Sequence, residues 1–395
     1  MNDRVDYQNN IELLSHTDQG GRPDGVQVMV HKDHAFVGHM FSHGFTVLDV
    51  KDPREPRPVN HVGAVEDTWN IHLQTHGDLL FVVSEAELFF PEKYERPDSP
   101  FEAGMRIYDI SNPADPREVS FFPVDGLGVH RIWYDGGRYA YLSVLLHGYS
   151  GHHLMIVDVA DPAKPTEVGR WWIPGMWTGG GEEPTWPSER NYSLHHALVA
   201  DGIAYAVWRD GGFTLLDVKD PANPSLLAHR NWSPPYDGNT HNPLPLPDKG
   251  IAIVLDEVAK PDCIDYEKFI WVVDVREPTN PVNVARFPVP SDADYCAKGG
   301  KFGPHNLWEN REGNFQSSDI IFAPYNNAGL RVYDISNHYR PQEIAAFVPK
   351  GPERMVDPRP GQPQVNQSCD AFVDRNGIVY LTDYNAGLHI LEYKG

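Results

Sequence analysis

The stretch TVLDVKDPREPRPV at residues 46–59 recurs along the chain and decides the fold. Each copy has two or three apolar residues, an Asp, another apolar residue and a polar turn that usually contains proline. Further copies begin at Arg106, Met155, Thr214, Trp271 and Arg331, and a shortened one begins at Leu388. The shared acidic residues, spaced 49 to 60 residues apart, are Asp49, Asp109, Asp158, Asp217, Asp274, Asp334 and Glu392. Self-similarity with this period predicts supersecondary units that stack or radiate from an axis.

Each repeat unit contains four predicted β-strands. In the fourth unit the runs HALVA, IAYAV, GFTLLDV and SLLAHR follow one another between residues 196 and 230, separated by turns rich in Gly, Asp and Pro. Seven such units predict an all-β protein, a seven-bladed β-propeller with four antiparallel strands per blade. We expect residues 1–395 to form this single domain.

The two chain ends predict how the propeller closes. The last unit stops after its third strand, and the segment IELLSHTD from Ile11 has the pattern of the missing fourth strand. An N-terminal strand that completes the C-terminal blade would remove two exposed sheet edges.

The repeated phrases also resemble a known family. VLDVKDP, IVDVADP and VYDISN are similar to the LVIVD repeats of a propeller-forming family, and the resemblance extends over nearly the whole chain. It implies the propeller fold and says little about activity, because a fold alone does not determine a function.

Histidines recur near the start of the first strand of each unit. Alignment of the units places seven residues at one position, namely Gln27, His72, His130, His196, His241, His305 and Asp370. The fourth unit offers both His195 and His196, and the Ala-Leu that follows favours His196. First strands line the channel of a propeller, so five imidazoles are expected to face one axis. Crowded, partly desolvated imidazoles need a partner, and a cation supplies one.

We therefore predict a transition-metal site, with Fe, Zn or Mn as the ion. The candidate ligands are His72, His130, His196, His241 and His305. Three or four of them would bind the ion, because a catalytic metal keeps a position open. The residues expected to move protons or orient a water molecule are Asp370 as the preferred base, a spare histidine such as His196, and Gln27.

Long loops are expected on the face of the propeller where the first strands begin, and they predict where substrate binds. The stretch between Trp171 and Tyr192 is rich in Trp and Gly, and Trp171, Trp177 and Trp186 are candidates for contact with an aromatic or apolar substrate. A second candidate lid begins at Glu85, whose carboxylate is a further candidate for the site.

Composition excludes several classes of function. The formal net charge is −22 and no cluster of Lys or Arg is present, which argues against nucleic acid as a partner. Neither a signal peptide nor a membrane span is expected. The cysteines Cys263, Cys296 and Cys369 are odd in number and far apart, so no disulfide framework is expected. These features predict a cytoplasmic protein, and they leave its oligomeric state undetermined.

Three functions fit the predicted site. The first is a metal-dependent enzyme that hydrolyses a small organic substrate such as a lactone or ester, favoured because the carboxylate of Asp370 aligns with the histidines. The second is an Fe(II) oxygenase, similar in architecture alone to the carotenoid-cleavage oxygenases, which hold iron in an all-His site. The third is a non-enzymatic, protein-binding propeller with a structural metal.

Overall fold

The computed structural model describes residues 4–88 and 100–395, and this part of the chain is almost entirely β-structure. The segment 89–99, which belongs to the second predicted lid, lies outside the described residues. The helical elements among the described residues are one four-residue α-helix, α1 (Tyr295–Lys298), and the short 3-10 turns Thr178–Gly180 and Pro247–Lys249. None of them is long and apolar enough to cross a membrane.

The strands form repeated antiparallel units in which most strands pair with the next along the chain. The first unit contains β3 (Val28–His31), β4 (His34–Gly38), β5 (Phe45–Asp49) and β6 (Arg57–Val62). The second contains β7 (Thr68–Trp69), β8 (Leu73–His76), β9 (Leu79–Ala86), β10 (Gly104–Asp109) and β11 (Arg117–Pro123). The third contains β12 (Gly126–Trp133), β13 (Tyr139–Leu146), β14 (His153–Asp158) and β15 (Thr166–Trp171).

The fourth unit contains β16 (Tyr192–Ala200), β17 (Ile203–Arg209), β18 (Phe213–Asp217) and β19 (Ser225–Arg230). The fifth contains β20 (Thr240–Leu246), β21 (Ile251–Asp256), β22 (Ile270–Asp274) and β23 (Val282–Arg286). The sixth contains β24 (Ile320–Pro324), β25 (Leu330–Asp334) and β26 (Gln342–Pro349), and the seventh contains β27 (Ser368–Val373), β28 (Ile378–Asp383) and β29 (Leu388–Tyr393).

The N-terminal segment supplies the outer strands of the last two units. The strand β1 (Val5–Asn9) pairs with β26, and β2 (Ile11–Thr17) pairs antiparallel with β29, the last strand of the chain. Together with the repeated units, these pairings give an all-β, propeller-like architecture.

The recurrence of this Asp has a local cause. In the first six units this Asp ends the strand before the last strand of the unit, and its carboxylate accepts a hydrogen bond from the backbone N–H two residues later, as Asp49 does from Lys51 at 3.0 Å. The same contact joins Asp158 to Ala160 at 3.0 Å. Such an Asx turn reverses the chain into the last strand of the unit. Apolar residues before it alternate into the cores between neighbouring sheets, where β-branched side chains pack well.

The expectation of no disulfide is wrong. Cys263 and Cys296 form a disulfide with an S–S distance of 2.03 Å that links the loop after β21 to α1. Sequence separation gave no hint of it, because the two cysteines lie in different connections between strands, which only the fold brings together. Cys369 is a buried free thiol.

Candidate functional site

The innermost strand of several units carries an irregularity at the histidine position. In β12 the pairing with β13 skips His130, and in β20 the pairing with β21 skips His241. The pairing of β16 is interrupted between Tyr192 and His196, and that of β27 between Ser368 and Ala371. A β-bulge of this kind leaves one residue unpaired and re-aims its side chain.

Together with the lining of the cavity described below, these irregularities assign the aligned residues to two layers. The first, the cavity layer, consists of Val26, Ile71, His130, His195, His241, His305 and Cys369. The second layer consists of the residues that follow each of them, namely Gln27, His72, Arg131, His196, Asn242, Asn306 and Asp370. The predicted ring therefore mixed two layers: His130, His241 and His305 belong to the first, and His72, His196, Gln27 and Asp370 belong to the second.

A cavity of about 270 Å³ lies over the cavity layer. Among its lining residues are Val26, Ile71, His130, His195, His241 and His305 of that layer, together with His152, Arg131, Arg209, Glu257, Lys301 and Tyr384. The histidine rings form a continuous arc, because His130 contacts His152 and His195, His195 stacks on His241, and His241 contacts His305.

Fixed hydrogen bonds orient three rings of this arc. The Nδ1 atom of His130 donates to Glu85 Oε2 at 2.6 Å, that of His195 to the backbone carbonyl of His241 at 2.6 Å, and that of His305 to the carbonyl of Cys369 at 2.7 Å. A neutral imidazole that donates from Nδ1 keeps a lone pair on Nε2. The Nε2 atoms of His130 and His195 lie 3.1 Å apart. Two lone pairs at this distance repel each other unless a cation or a proton lies between them.

Burial favours the neutral form of these imidazoles. It lowers the pKa of His130, holds those of His195 and His241 well below the ordinary value, and lowers the pKa of His305 to about 4. Neutral imidazoles are the form that binds transition metals. The second nitrogen of a metal-binding histidine usually donates to a carboxylate or carbonyl, as it does here for three of the four.

Glu85 lies buried between two histidines. It accepts hydrogen bonds from His130 and, at 2.5 Å, from His152 Nε2. Burial raises the pKa of Glu85, but the attraction of His130 and His152 outweighs it, so the pKa falls below its ordinary value. Gly128 makes this position possible: its φ is +134°, and a Cβ there would overlap the backbone of Glu85, with which it pairs.

Glu257 is the carboxylate on the opposite side of the cavity. Its Oε2 lies 3.3 Å from His241 Nε2 and 2.6 Å from Arg209 Nη1, and its Oε1 lies 3.6 Å from both His305 Nε2 and Lys301 Nζ. Burial raises the pKa of Glu257, but Lys301 and Arg209 reverse the effect and hold it well below the ordinary value. Tyr384 completes this side, with its hydroxyl 3.1 Å from His305 Nε2.

Arg209, Glu257 and Tyr384 were missed by sequence reasoning. Arg209 is the last residue of β17, and Glu257 and Tyr384 directly follow β21 and β28, which are the second strands of their units. An alignment of the units on the ends of their second strands, in addition to the alignment on their first strands, would have placed these polar residues at one position.

Second-layer side chains tie neighbouring innermost strands together. Backbone N–H groups donate to Gln27 from Leu73 at 2.8 Å, to His72 from Ile132 at 3.3 Å and to Asp370 from Val28 at 3.3 Å. These acceptors are not among the residues that line the cavity, and their contacts join neighbouring innermost strands. Burial raises the pKa of Asp370 to about 7.

His196 also belongs to this structural network. Its Nε2 contacts the Ile132 carbonyl at 3.3 Å and its Nδ1 contacts the Asn242 amide at 3.2 Å. The alignment favoured His196 over its neighbour, whereas the structure brings His195 into the arc, because the interruption in β16 shifts the residue that faces the cavity.

The three candidate tryptophans pack away from the cavity lining. Trp171 packs on Trp208, Trp186 stacks on Tyr192, and Trp177 stacks near Tyr149 and is 42% exposed. The tryptophan that does line the cavity is Trp69.

Three groups in the described residues have ligand atoms within 4.8 Å of one another and could hold a metal ion. They are His241, Glu257 and His305; Glu85, His130 and His152; and His72, His196 and Glu309. The first two adjoin the cavity and are joined by His195. The third lies in the second layer, where His72 Nδ1 and both nitrogens of His196 already have partners in the protein.

A family model for the LVIVD repeat matches residues 101–122, 134–172 and 198–230. The chain contains LVIVD repeats. The resemblance inferred from the repeated phrases is thereby confirmed, and the matched segments include the outer strands of the second, third and fourth LVIVD units. A sequence comparison with curated proteins found no match.

Solved structures of similar fold cover most of this LVIVD-repeat chain. A hypothetical selenium-binding protein from Sulfolobus tokodaii is 14% identical with a TM-score of 0.59, covering 91% of this chain and 89% of its own. The periplasmic gluconolactonase PpgL of Pseudomonas aeruginosa is 13% identical with a TM-score of 0.56, covering 92% and 96%. A functionally unknown protein from Desulfotomaculum acetoxidans is 13% identical with a TM-score of 0.53, covering 93% and 88%. At these identities the likeness concerns the fold alone.

Proposed function

We propose that this protein is a metal-dependent enzyme that acts on a small organic molecule. The ion would bind Nε2 of His130, His195 and His305, with His241 beside them as a fourth candidate. These three side chains do not form one of the groups with ligand atoms within 4.8 Å of one another, so binding would draw their rings closer together. The observation that carries the proposal is the set of Nδ1–H hydrogen bonds, which leaves three Nε2 lone pairs at the cavity. Neutral imidazoles of this kind suit Fe, Zn or Mn.

The scaffold of this site is, in our proposal, a single domain formed by residues 1–395. Seven four-stranded blades would form a closed ring, with β2 completing the last blade and pinning the two ends of the chain together. The pairing of β2 with β29 supports this closure. One cooperative unfolding transition is the expected result for such a domain, and two separated transitions would contradict it.

The first reaction we propose is hydrolysis of an ester or lactone. A bound ion would polarise the carbonyl group and lower the pKa of a water molecule. Asp370 does not serve as the base in this proposal, because its hydrogen bonds join neighbouring strands. The same argument applies to His196 and Gln27, for which we propose no catalytic role. Glu257 takes that place in the proposal, since its carboxylate lines the cavity 3.3 Å from His241 Nε2.

The alternative reaction is oxygenation by Fe(II). It is favoured by the neutral imidazoles of the arc, which offer iron an all-nitrogen ligand set. Turnover under strictly anaerobic conditions separates the two: hydrolysis continues without dioxygen, whereas an oxygenase stops. If metal binds but neither reaction occurs, the third function applies, a protein-binding propeller with a structural ion.

Metal analysis of two neighbouring variants tests the site. His195→Ala removes a cavity ligand, whereas His196→Ala changes the next residue, which faces the second layer. We expect wild type and His196→Ala to retain close to one equivalent of transition metal and His195→Ala to lose most of it. Equal metal loss in both variants, with equal thermal stability, would contradict the assignment. Less than about 0.2 equivalents in wild type, after supplementation with metal, would refute metal binding itself.

The remaining expectations concern partners and location. We propose a small-molecule substrate, with neither nucleic acid nor a membrane as partner. A cytoplasmic location was the expectation from the N-terminal sequence, but the Cys263–Cys296 disulfide weighs against it, because disulfides persist mainly in oxidising compartments. Fractionation of the native cells decides the location.

A further inference from the structure

Arg131 is a buried cation at the edge of the cavity. It lies in the second layer, is 4% exposed, and also lines the cavity. The bulge at Val129–Arg131 explains this position, because it changes the direction of the side chains of both His130 and Arg131. Its Nη2 donates to the Asn306 side-chain carbonyl at 3.2 Å, and no ion pair of Arg131 is found among residues 4–88 and 100–395.

The other cations of the lining differ from Arg131 in this respect. Arg209 and Lys301 pair with Glu257 at 2.6 and 3.6 Å, and Arg359 pairs with Asp357 at 2.6 Å. Arg131 alone among the lining cations that the structure describes contacts a neutral amide instead of a carboxylate. Burial of a charge without an opposite charge in direct contact is costly, and the more distant carboxylates of Asp370 and Glu309 offset this cost only in part. An anion that contacts the guanidinium would recover more of it.

Part of the cavity lining is apolar. Its residues are Val26, Met40, Trp69, Ile71 and Leu88. A ligand that satisfies both Arg131 and this apolar part has a compact apolar or aromatic body and one anionic group. The planar guanidinium presents paired donors that match the two oxygens of a carboxylate.

We propose that the substrate is a small carboxylic acid, bound as its anion. Its carboxylate pairs with Arg131, its body packs against Trp69 and Ile71, and its reacting group faces the histidine arc. The reaction of this substrate rests on the proposed function, but recognition of its carboxylate does not require the metal ion.

The test compares benzoate with benzamide, which has almost the same shape and no charge. Binding is measured by isothermal titration calorimetry on the full chain, both after metal removal and after metal loading. We expect benzoate to bind wild type at least about tenfold more tightly than benzamide, as a charge-assisted hydrogen bond at a buried site implies. Arg131→Gln should abolish this preference, and Arg131→Lys should retain part of it.

Arg138→Gln is the matched control, because Arg138 is an exposed arginine that pairs with Asp158 on the surface. It should bind benzoate like wild type. Equal affinity of wild type for benzoate and benzamide would overturn the proposal, and this comparison holds even if Arg131→Gln fails to fold. If the protein binds no metal but its preference for benzoate over benzamide depends on Arg131, the anion site is upheld and the metal centre is refuted. The two failures are therefore distinguishable.

Discussion

Replacement of Glu85 by Gln should weaken metal binding without removing any proposed ligand. Glu85 accepts hydrogen bonds from His130 Nδ1 at 2.6 Å and from His152 Nε2 at 2.5 Å, and its carboxylate is fully buried. A glutamine has one acceptor oxygen in place of two and no charge, so at least one of these bonds is lost. Nε2 of His130 then becomes a weaker electron donor and its ring is less firmly oriented.

The expected magnitude follows from this geometry. Loss of the carboxylate behind a metal-binding histidine costs about 10- to 100-fold in metal affinity. This range corresponds to about 1.4 to 2.7 kcal/mol at 25 °C. The assay is competition with a chromophoric chelator at pH 7.5, which reports the dissociation constant of the ion directly.

Glu309→Gln provides the matched control. Glu309 is also a buried carboxylate beside a histidine, since its Oε1 lies 3.6 Å from His196 Nδ1, and it pairs with Arg311 at 3.0 Å. Its environment is in the second layer, away from the proposed ion. Unchanged metal affinity in Glu85→Gln, or an equal loss in Glu309→Gln, would refute the reasoning.

Three further outcomes are expected. Cys296→Ser should lower the free energy of unfolding by about 2–4 kcal/mol, because the bond to Cys263 closes a loop of 33 residues; denaturant titration measures the loss, and unchanged stability would contradict the bond. Burial lowers the pKa of His61 to about 4 and that of His153 to about 3 in the folded state, so the unfolded chain binds more protons below pH 6.5. Urea titrations at pH 7, 5.5 and 4.5 should therefore show stability decreasing as the pH falls, and a constant value would rule the effect out. Trp177→Ala should bind benzoate with wild-type affinity, because Trp177 lies outside the cavity lining. A clear loss of affinity in calorimetry would show instead that this loop takes part in binding.

The all-β, propeller-like fold could be predicted from the sequence because its determinants are local. The repeated Asp ends a strand and caps the turn that follows, as Asp109 does by accepting a hydrogen bond from the N–H of Ser111 at 2.7 Å. Alternating apolar residues then face the cores between sheets. Each of these effects acts over a few residues, so a pattern in the sequence records it directly.

The site was less accessible to prediction because it depends on β-bulges. Strand pairing that skips His130 and His241 moves these side chains into the cavity layer, and no spacing in the sequence marks a bulge. The alignment therefore placed His196, rather than His195, beside them. In the same way it treated Asp370 as equivalent to the cavity histidines, although Asp370 joins two neighbouring strands.

The contacts of the Glu85 and Glu257 carboxylates could not be predicted from the sequence for a different reason. Glu85 reaches His130 because Gly128 lets β12 approach β9, and Glu257 reaches His241 from the end of a second strand. Both contacts join different strands or units at long sequence separation. Only the three-dimensional arrangement reveals them, although Glu85 had stood out as a candidate at the start of a predicted long loop and lies at the end of β9 instead.

The most direct test of the central claim is a crystal structure of the metal-loaded protein with an anomalous difference map at the absorption edge of the bound ion. We predict one strong peak in the cavity, about 2.0–2.2 Å from Nε2 of His130, His195 and His305, as expected for nitrogen ligands of a transition metal. A cavity without a peak in protein that contains metal, or a peak between His72, His196 and Glu309, would contradict the account.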